Sequence, residues 1–257
     1  MSKLQNAFSH GKAFIPFITA GDPSLDVTEE LIYAMEEAGA NLIEIGIPFS
    51  DPVAEGVVIQ KASKRALLSG TTTEKIFGMV ERIRKNTDIP LAFMTYLNPI
   101  LAYGKKQFLN IAGNLGMDAL IVPDMPFEEQ YELLPDCRAN NIDLISLIAP
   151  TSKERIAKIA AGAQGFVYCV SSMGTTGVRE KFSAEIRNMV AQVKEIKDIP
   201  CAVGFGISIP QQAREIASFS DGVIVGSAIV RIVEQYGSKA INHVRDYVCR
   251  MKEAIKE

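Results

Sequence analysis

Histidine is almost missing from this chain: among 257 residues only His10 and His243 carry an imidazole, one near the start and one in a C-terminal helical stretch. Neither is expected to reach a catalytic face, and no cluster of His, Asp and Glu has metal-ligand spacing, so a histidine relay and a metal centre are both set aside. Cysteine is scarce as well. Cys137, Cys169, Cys201 and Cys249 stand far apart with no C-x-x-C pair. Structural thiols near core positions of a reduced chain are expected. Neither sign of charge dominates: Lys and Arg number 27 against 30 Asp and Glu, a net charge of -3. That balance gives no electrostatic reason to expect a nucleic acid or an anionic membrane as partner, and leaves room only for a local site for a small anion. No apolar run is long enough to span a bilayer, and "MSKLQNAFSHGK" has no apolar leader core, so a soluble, cytoplasmic protein is expected. No Pro/Gly/Ser-rich linker divides the chain, and residues 1–257 are read as one domain.

What the chain does have is a regular alternation. Short apolar runs occur at 13–19, 41–47, 90–96, 119–124, 142–149, 165–171, 200–206 and 221–227. Several are apolar throughout, as strands covered on both faces should be. Amphipathic stretches lie between them. Leu31, Ile32, Met35 and Ala38 form one stripe that stops at Gly39; Ile76, Val80 and Ile83 form another, and Ile186, Val190 and Val193 a third. Eight strand–helix units of about 32 residues fit an α/β (β/α)₈ TIM barrel with additional N- and C-terminal helices, over "KLQNAFSH" and "AINHVRDYVCRMKEAIK". An open doubly wound sheet would need a glycine-rich phosphate turn after its first strand, and "FITAGDPS" is not one.

In such a barrel the active site lies at the C-terminal ends of the strands. That rule selects Glu44 and the "PFSDPVAEG" loop, Tyr96 and Asn98, Asp124, "SSMGTTGVRE", "GFGIS" and "VGSAIV". Gly204, Gly206 and Gly226, with Ser227 opening a helix and Gly177 in the loop after strand 6, predict a site for a phosphate-bearing ligand, because backbone N–H groups and a helix N-terminus converge there. No lysine lies in a predicted strand, which argues against a Schiff-base aldolase. Proton transfer then falls to carboxylates and a tyrosine. Glu44, between Ile43 and Ile45, is the leading candidate, since burial should raise its pKa toward neutrality. The alternative is a carboxylate satisfied by tyrosine or backbone partners. Asp51 and Glu55 are loop carboxylates of a kind usually solvated, and Asp124 is either a helix cap or a contact between loops.

Taken together, "IPFITAGDP", "IEIGIPFSDPVAEG", "MTYLNPILAYG", "LIVPDMPFEE", "GFVYCVSSMGTTGVR", "VGFGIS" and "DGVIVGSAIV" resemble, in order and spacing, the tryptophan synthase alpha subunits, and the resemblance covers essentially the whole chain. It implies a barrel lyase that cleaves indole-3-glycerol phosphate to indole and glyceraldehyde 3-phosphate by a retro-aldol step, in the last stage of tryptophan biosynthesis. It implies no cofactor in this chain, and a beta subunit carrying pyridoxal phosphate as partner in an α₂β₂ heterotetramer. By the same resemblance Glu44 is the proton-transferring residue, and Glu55 is the second carboxylate, holding the indole N–H. Phe17, Leu91 and Tyr96 line the indole site; Gly177, Gly206, Gly226 and Ser227 bind phosphate; Thr176 lies in the loop that closes over substrate. One departure stands out. The family pattern reads Ala-Asp-Gly-Pro where this chain has Ala54-Glu55-Gly56-Val57. Two other functions stay open beside the lyase within a complex: a weakly catalytic or non-catalytic allosteric partner of a beta subunit, and a stand-alone lyase releasing indole.

Overall fold

The computed structural model describes residues 3–170, 179–204 and 206–256, and of 179–183 the backbone alone. The strands are β1 (Ala13–Thr19), β2 (Ile43–Gly46), β3 (Leu91–Met94), β4 (Ala119–Ile121), β5 (Asp143–Leu144), β6 (Ser146–Ile148), β7 (Val167–Val170), β8 (Cys201–Gly204) and β9 (Gly222–Val225). All pair in parallel, in the order β5-β4-β3-β2-β1-β9-β8-β7-β6. β5 and β6 are two halves of one pass of the chain, the apolar run expected at 142–149. The first half pairs with β4 and the second with β7, and Ile145 between them still donates its N–H to the Leu120 carbonyl at 2.9 Å. The two ends of the sheet therefore meet at Ile145, and the barrel closes in eight passes.

Because side chains alternate along a strand, each strand feeds two cores. Outward residues such as Ile43, Ile45, Leu91, Phe93, Leu120 and Val223 pack against the surrounding helices. Inward residues Ala13, Ile15, Ala92, Ala119, Ile121, Ala202 and Ile224 fill the barrel, where Leu4, Ala7 and Phe166 join them. The expected N-terminal helix is the short Lys3–Asn6, and its Leu4 is what enters this inner core. The expected C-terminal helix is Ala240–Ala254.

Cys137, Cys169 and Cys201 are buried, whereas Cys249 is exposed, on the solvent side of the C-terminal helix rather than at a core position. His10 lies ahead of β1 and so at the N-terminal end of the barrel. His243 stacks on Tyr236 with ring centroids 3.7 Å apart. Among the described residues two crossovers carry a second α-helix. Val57–Leu68 precedes Thr73–Ile83 between β2 and β3, and Leu97–Tyr103 precedes Lys105–Asn114 between β3 and β4. The helix Leu97–Tyr103 starts just beyond the C-terminal end of β3, whereas the loop 47–56 separates Val57–Leu68 from the C-terminal end of β2.

Candidate active site

Glu44 is fully buried, and neither carboxylate oxygen has a hydrogen-bond partner. Its place in β2 explains why. Ile43 and Ile45 face the helices, so Glu44 faces the barrel interior, and its register neighbours on either side are Phe17 and Ala92. None of the described residues pairs with its oxygens, and burial pushes the carboxyl up to about 8. The expected alternative, a carboxylate satisfied by tyrosine or backbone, is not what the described residues provide. Near neutral pH the group is a buried carboxylic acid, able to give a proton and then take one back.

The second carboxylate belongs to the loop after β2. Glu55 is half-buried, its Oε2 has no partner, and burial raises it to about 7. The loop is pinned from two sides. The Ala54 N–H donates to the Tyr96 hydroxyl at 2.9 Å, and Gln60 Nε2 donates to the Glu55 carbonyl at 2.8 Å. Tyr96 is itself buried, with its ring 5.4 Å from that of Phe49. Burial, with Glu55 and Asp124 nearby, lifts its phenol to about 12, so it stays protonated. Asp51 is exposed. Asp124 accepts from the Leu97 N–H at 3.0 Å and caps the helix Leu97–Tyr103, which settles its role as a cap made between two loops.

Between the carboxylates lies an aromatic and apolar wall. Phe17 packs with Ile59, Ala62 and Val230, and Met94 borders the same cluster and the inner core. Gly46 makes room for Phe17: a Cβ there would meet the ring at 2.6 Å. Leu91 is not brought to this wall. It pairs in register with outward-facing Ile43 and packs among the helices, so in β3 the inward residues are Ala92 and Met94. Met94, two positions before Tyr96, takes the place expected of Leu91. Sequence reasoning also missed Tyr168. It faces inward from β7, its hydroxyl lies against Gly204, where a Cβ would sit 2.7 Å from it, and Glu44 is close enough to add to burial in raising its pKa. Its inward parity with Phe166 was the available signal.

Beyond β9, two strands from β2, Gly226 lies against Phe17, where a Cβ would meet the ring at 3.2 Å; it is the N-cap of the ten-residue helix Ser227–Tyr236 and has no side-chain cap. Its carbonyl accepts from Ile229 and Val230, while Ser227 is exposed in the first turn. Gly206 has φ 70°, a left-handed conformation suited to glycine in the loop after β8. Thr176 and Gly177 lie outside the described residues. No group of three or more His, Cys, Asp or Glu able to hold a metal ion occurs among the described residues, and no helix among them is long and apolar enough to cross a membrane.

A family model described as tryptophan synthase alpha chain matches residues 4–256. The tryptophan synthase alpha chain of Lacticaseibacillus casei is 44% identical over 255 residues, 99% of this chain and 96% of that one. That of Halalkalibacterium halodurans is 51% identical over 235 residues, 91% and 89% of the two chains. Among solved structures, the tryptophan synthase α₂β₂ complex of Pyrococcus furiosus superposes with a TM-score of 0.88 at 36% identity, covering 95% of this chain and 99% of that one.

Proposed function

We infer the workings of this site from one premise: the chain belongs to the tryptophan synthase alpha chain family. The reaction of that family is cleavage of indole-3-glycerol phosphate to indole and glyceraldehyde 3-phosphate. The observation that carries the mechanism is Glu44, buried, unpartnered and protonated near neutral pH.

The Glu44 carboxyl donates its proton to the ring carbon that bears the glycerol chain. The indole nitrogen becomes cationic, and the Glu55 carboxylate accepts the indole N–H hydrogen bond and stabilises that charge. The Glu44 carboxylate then removes the proton from the adjacent glycerol hydroxyl. As the aldehyde forms, the carbon–carbon bond breaks and its electrons return to the ring, neutralising the cation. Glu44 ends the cycle protonated, as it began, so one group serves both proton transfers. Phe17, Met94 and Tyr96 support the indole ring. Gly206, Gly226 and Ser227 receive the phosphate, joined by Thr176 and Gly177 from the loop after β7.

The chain works as one barrel, in the cytoplasm, with no cofactor of its own. Its partner is a beta subunit carrying pyridoxal phosphate, in an α₂β₂ assembly of the kind solved from Pyrococcus furiosus. A second function has one observation in its favour, Glu55 in place of the family's aspartate: an alpha chain that binds the phosphate ligand and activates the beta subunit while turning over slowly. Turnover of indole-3-glycerol phosphate by the pure chain, with and without a beta subunit, tests both. Measurable release of indole by the pure chain, stimulated by the partner, is expected. Release that the partner does not stimulate points to a stand-alone lyase, and no turnover in either mixture refutes the lyase assignment.

A further inference from the structure

The helix Val57–Leu68 starts directly after Gly56, so whatever fixes this helix also fixes Glu55. Its buried face is made mostly of small residues, Ala62, Ser63 and Ala66 with Ile59, and Ile59 and Ala62 meet Phe17 and Val230. Such contacts fix which face the helix turns to its neighbours and the angle at which it crosses them. The polar anchor is Arg65, more than two turns beyond Gly56. Its Nε and Nη2 donate to Oδ1 and Oδ2 of Asp22, each at 2.8 Å, and its Nη1 donates to Glu234 Oε1 at 2.9 Å. Asp22 lies in the loop after β1 and is 3% exposed. Glu234 lies on the helix Ser227–Tyr236, which opens at the phosphate end of the site. One guanidinium thus joins the helix that carries Glu55, the loop after β1 and the helix that begins at Gly226. A two-pronged contact of this kind fixes rotation as well as distance, which a point charge does not.

We propose that Arg65 is a positioning residue for the lyase reaction. Through its fork on Asp22 and its third bond to Glu234 it sets the axial position of helix Val57–Leu68, and so holds the Glu55 carboxylate where the indole nitrogen develops its charge. The proposal rests on the role given to Glu55 above. Its test is a double-mutant cycle on the full chain, crossing Arg65→Gln with Glu55→Gln and measuring kcat and KM for indole-3-glycerol phosphate. Arg65→Gln alone should lower kcat about tenfold to a hundredfold, as a misplacement near 1 Å does, and leave KM within about threefold. In the Glu55→Gln background the same change should cost about twofold or less, because the group it positions is already disabled. Effects on kcat that multiply independently overturn the proposal. An unchanged kcat in Glu55→Gln alone refutes the role of Glu55, a distinct failure that removes the proposal with it. If Arg65→Gln does not fold, Arg65→Lys keeps the charge opposite Asp22 without the fork and runs the same cycle.

Discussion

In the proposed mechanism two carboxyls with different duties titrate close together. Glu44 must start protonated and has a pKa near 8; Glu55 must be ionised and has one near 7. In the free protein kcat/KM should therefore rise with pH through about 7, as Glu55 loses its proton, and fall through about 8, as Glu44 loses its own. A narrow bell between these limbs is the expected profile, and a profile flat from pH 6 to 9 would exclude the assignment. Glu44→Gln should abolish turnover and leave phosphate binding nearly intact, since the amide keeps the shape but cannot shuttle protons. It should also stabilise the fold. The folded carboxyl holds its proton up to about pH 8, whereas the unfolded one releases it near the ordinary glutamate value of 4.5. Between those values the folded state binds more protons, so the native protein loses stability as pH rises. Glu44→Gln removes that loss. Its melting temperature should match the parent near pH 5 and exceed it at pH 8.5, with a difference on the order of a few kcal/mol. A gap that shrinks with rising pH would reverse the sign and refute the buried-acid account. The burial of Glu44 was legible in the sequence because it stands between two isoleucines of an apolar run. The side of the strand on which Leu91 falls was not: in a run apolar on both faces, hydrophobicity gives no parity. Only counting back in steps of two from Tyr96 would have selected Met94.

At the scale of elements, the helix Val57–Leu68 begins at a position where the family pattern has proline. Val57 is 64% exposed and is the first helical residue, and Gly56 ahead of it is extended at φ -74°, ψ 163°. Proline fits the first helical turn, its missing N–H is not needed there, and an extended preceding residue suits it. Val57→Pro should therefore raise stability by about 0.4–1 kcal/mol through the unfolded chain, read as a higher melting temperature. A lower one would show that the loop before the helix needs the freedom that valine allows. The eight strands and the terminal helices were visible as apolar runs and 3.6-residue stripes, because each element is buried on a predictable face. The tie from Arg65 to Asp22 was not, since it spans 43 positions of sequence and joins residues whose types alone suggest solvated surface.

For the whole molecule, the rim around the opening is more apolar than a free surface requires. Val53, Leu101 and Tyr131 follow the adjacent strands β2, β3 and β4, and are 83%, 55% and 66% exposed. A beta subunit covering this rim would bury them. Val53→Asp and Leu101→Asp should each weaken the stimulation of lyase turnover by a beta subunit, with little change in the turnover of the chain alone. Undiminished stimulation in both would place the partner elsewhere. The far end of the barrel behaves differently. Leu4 and Ala7 sit among Ile15, Ala119 and Phe166, and Phe8 rests on Phe166 with ring centroids 5.4 Å apart. The barrel is a cup with a filled base. Among the described residues that base leaves indole, the smaller and less tethered product, no opening, and the mouth that admits the substrate is the exit open to it. When a second protein stands over that mouth, the way out leads into it. The N-terminal residues, which touch no reacting atom, thus help to decide in which direction the product travels.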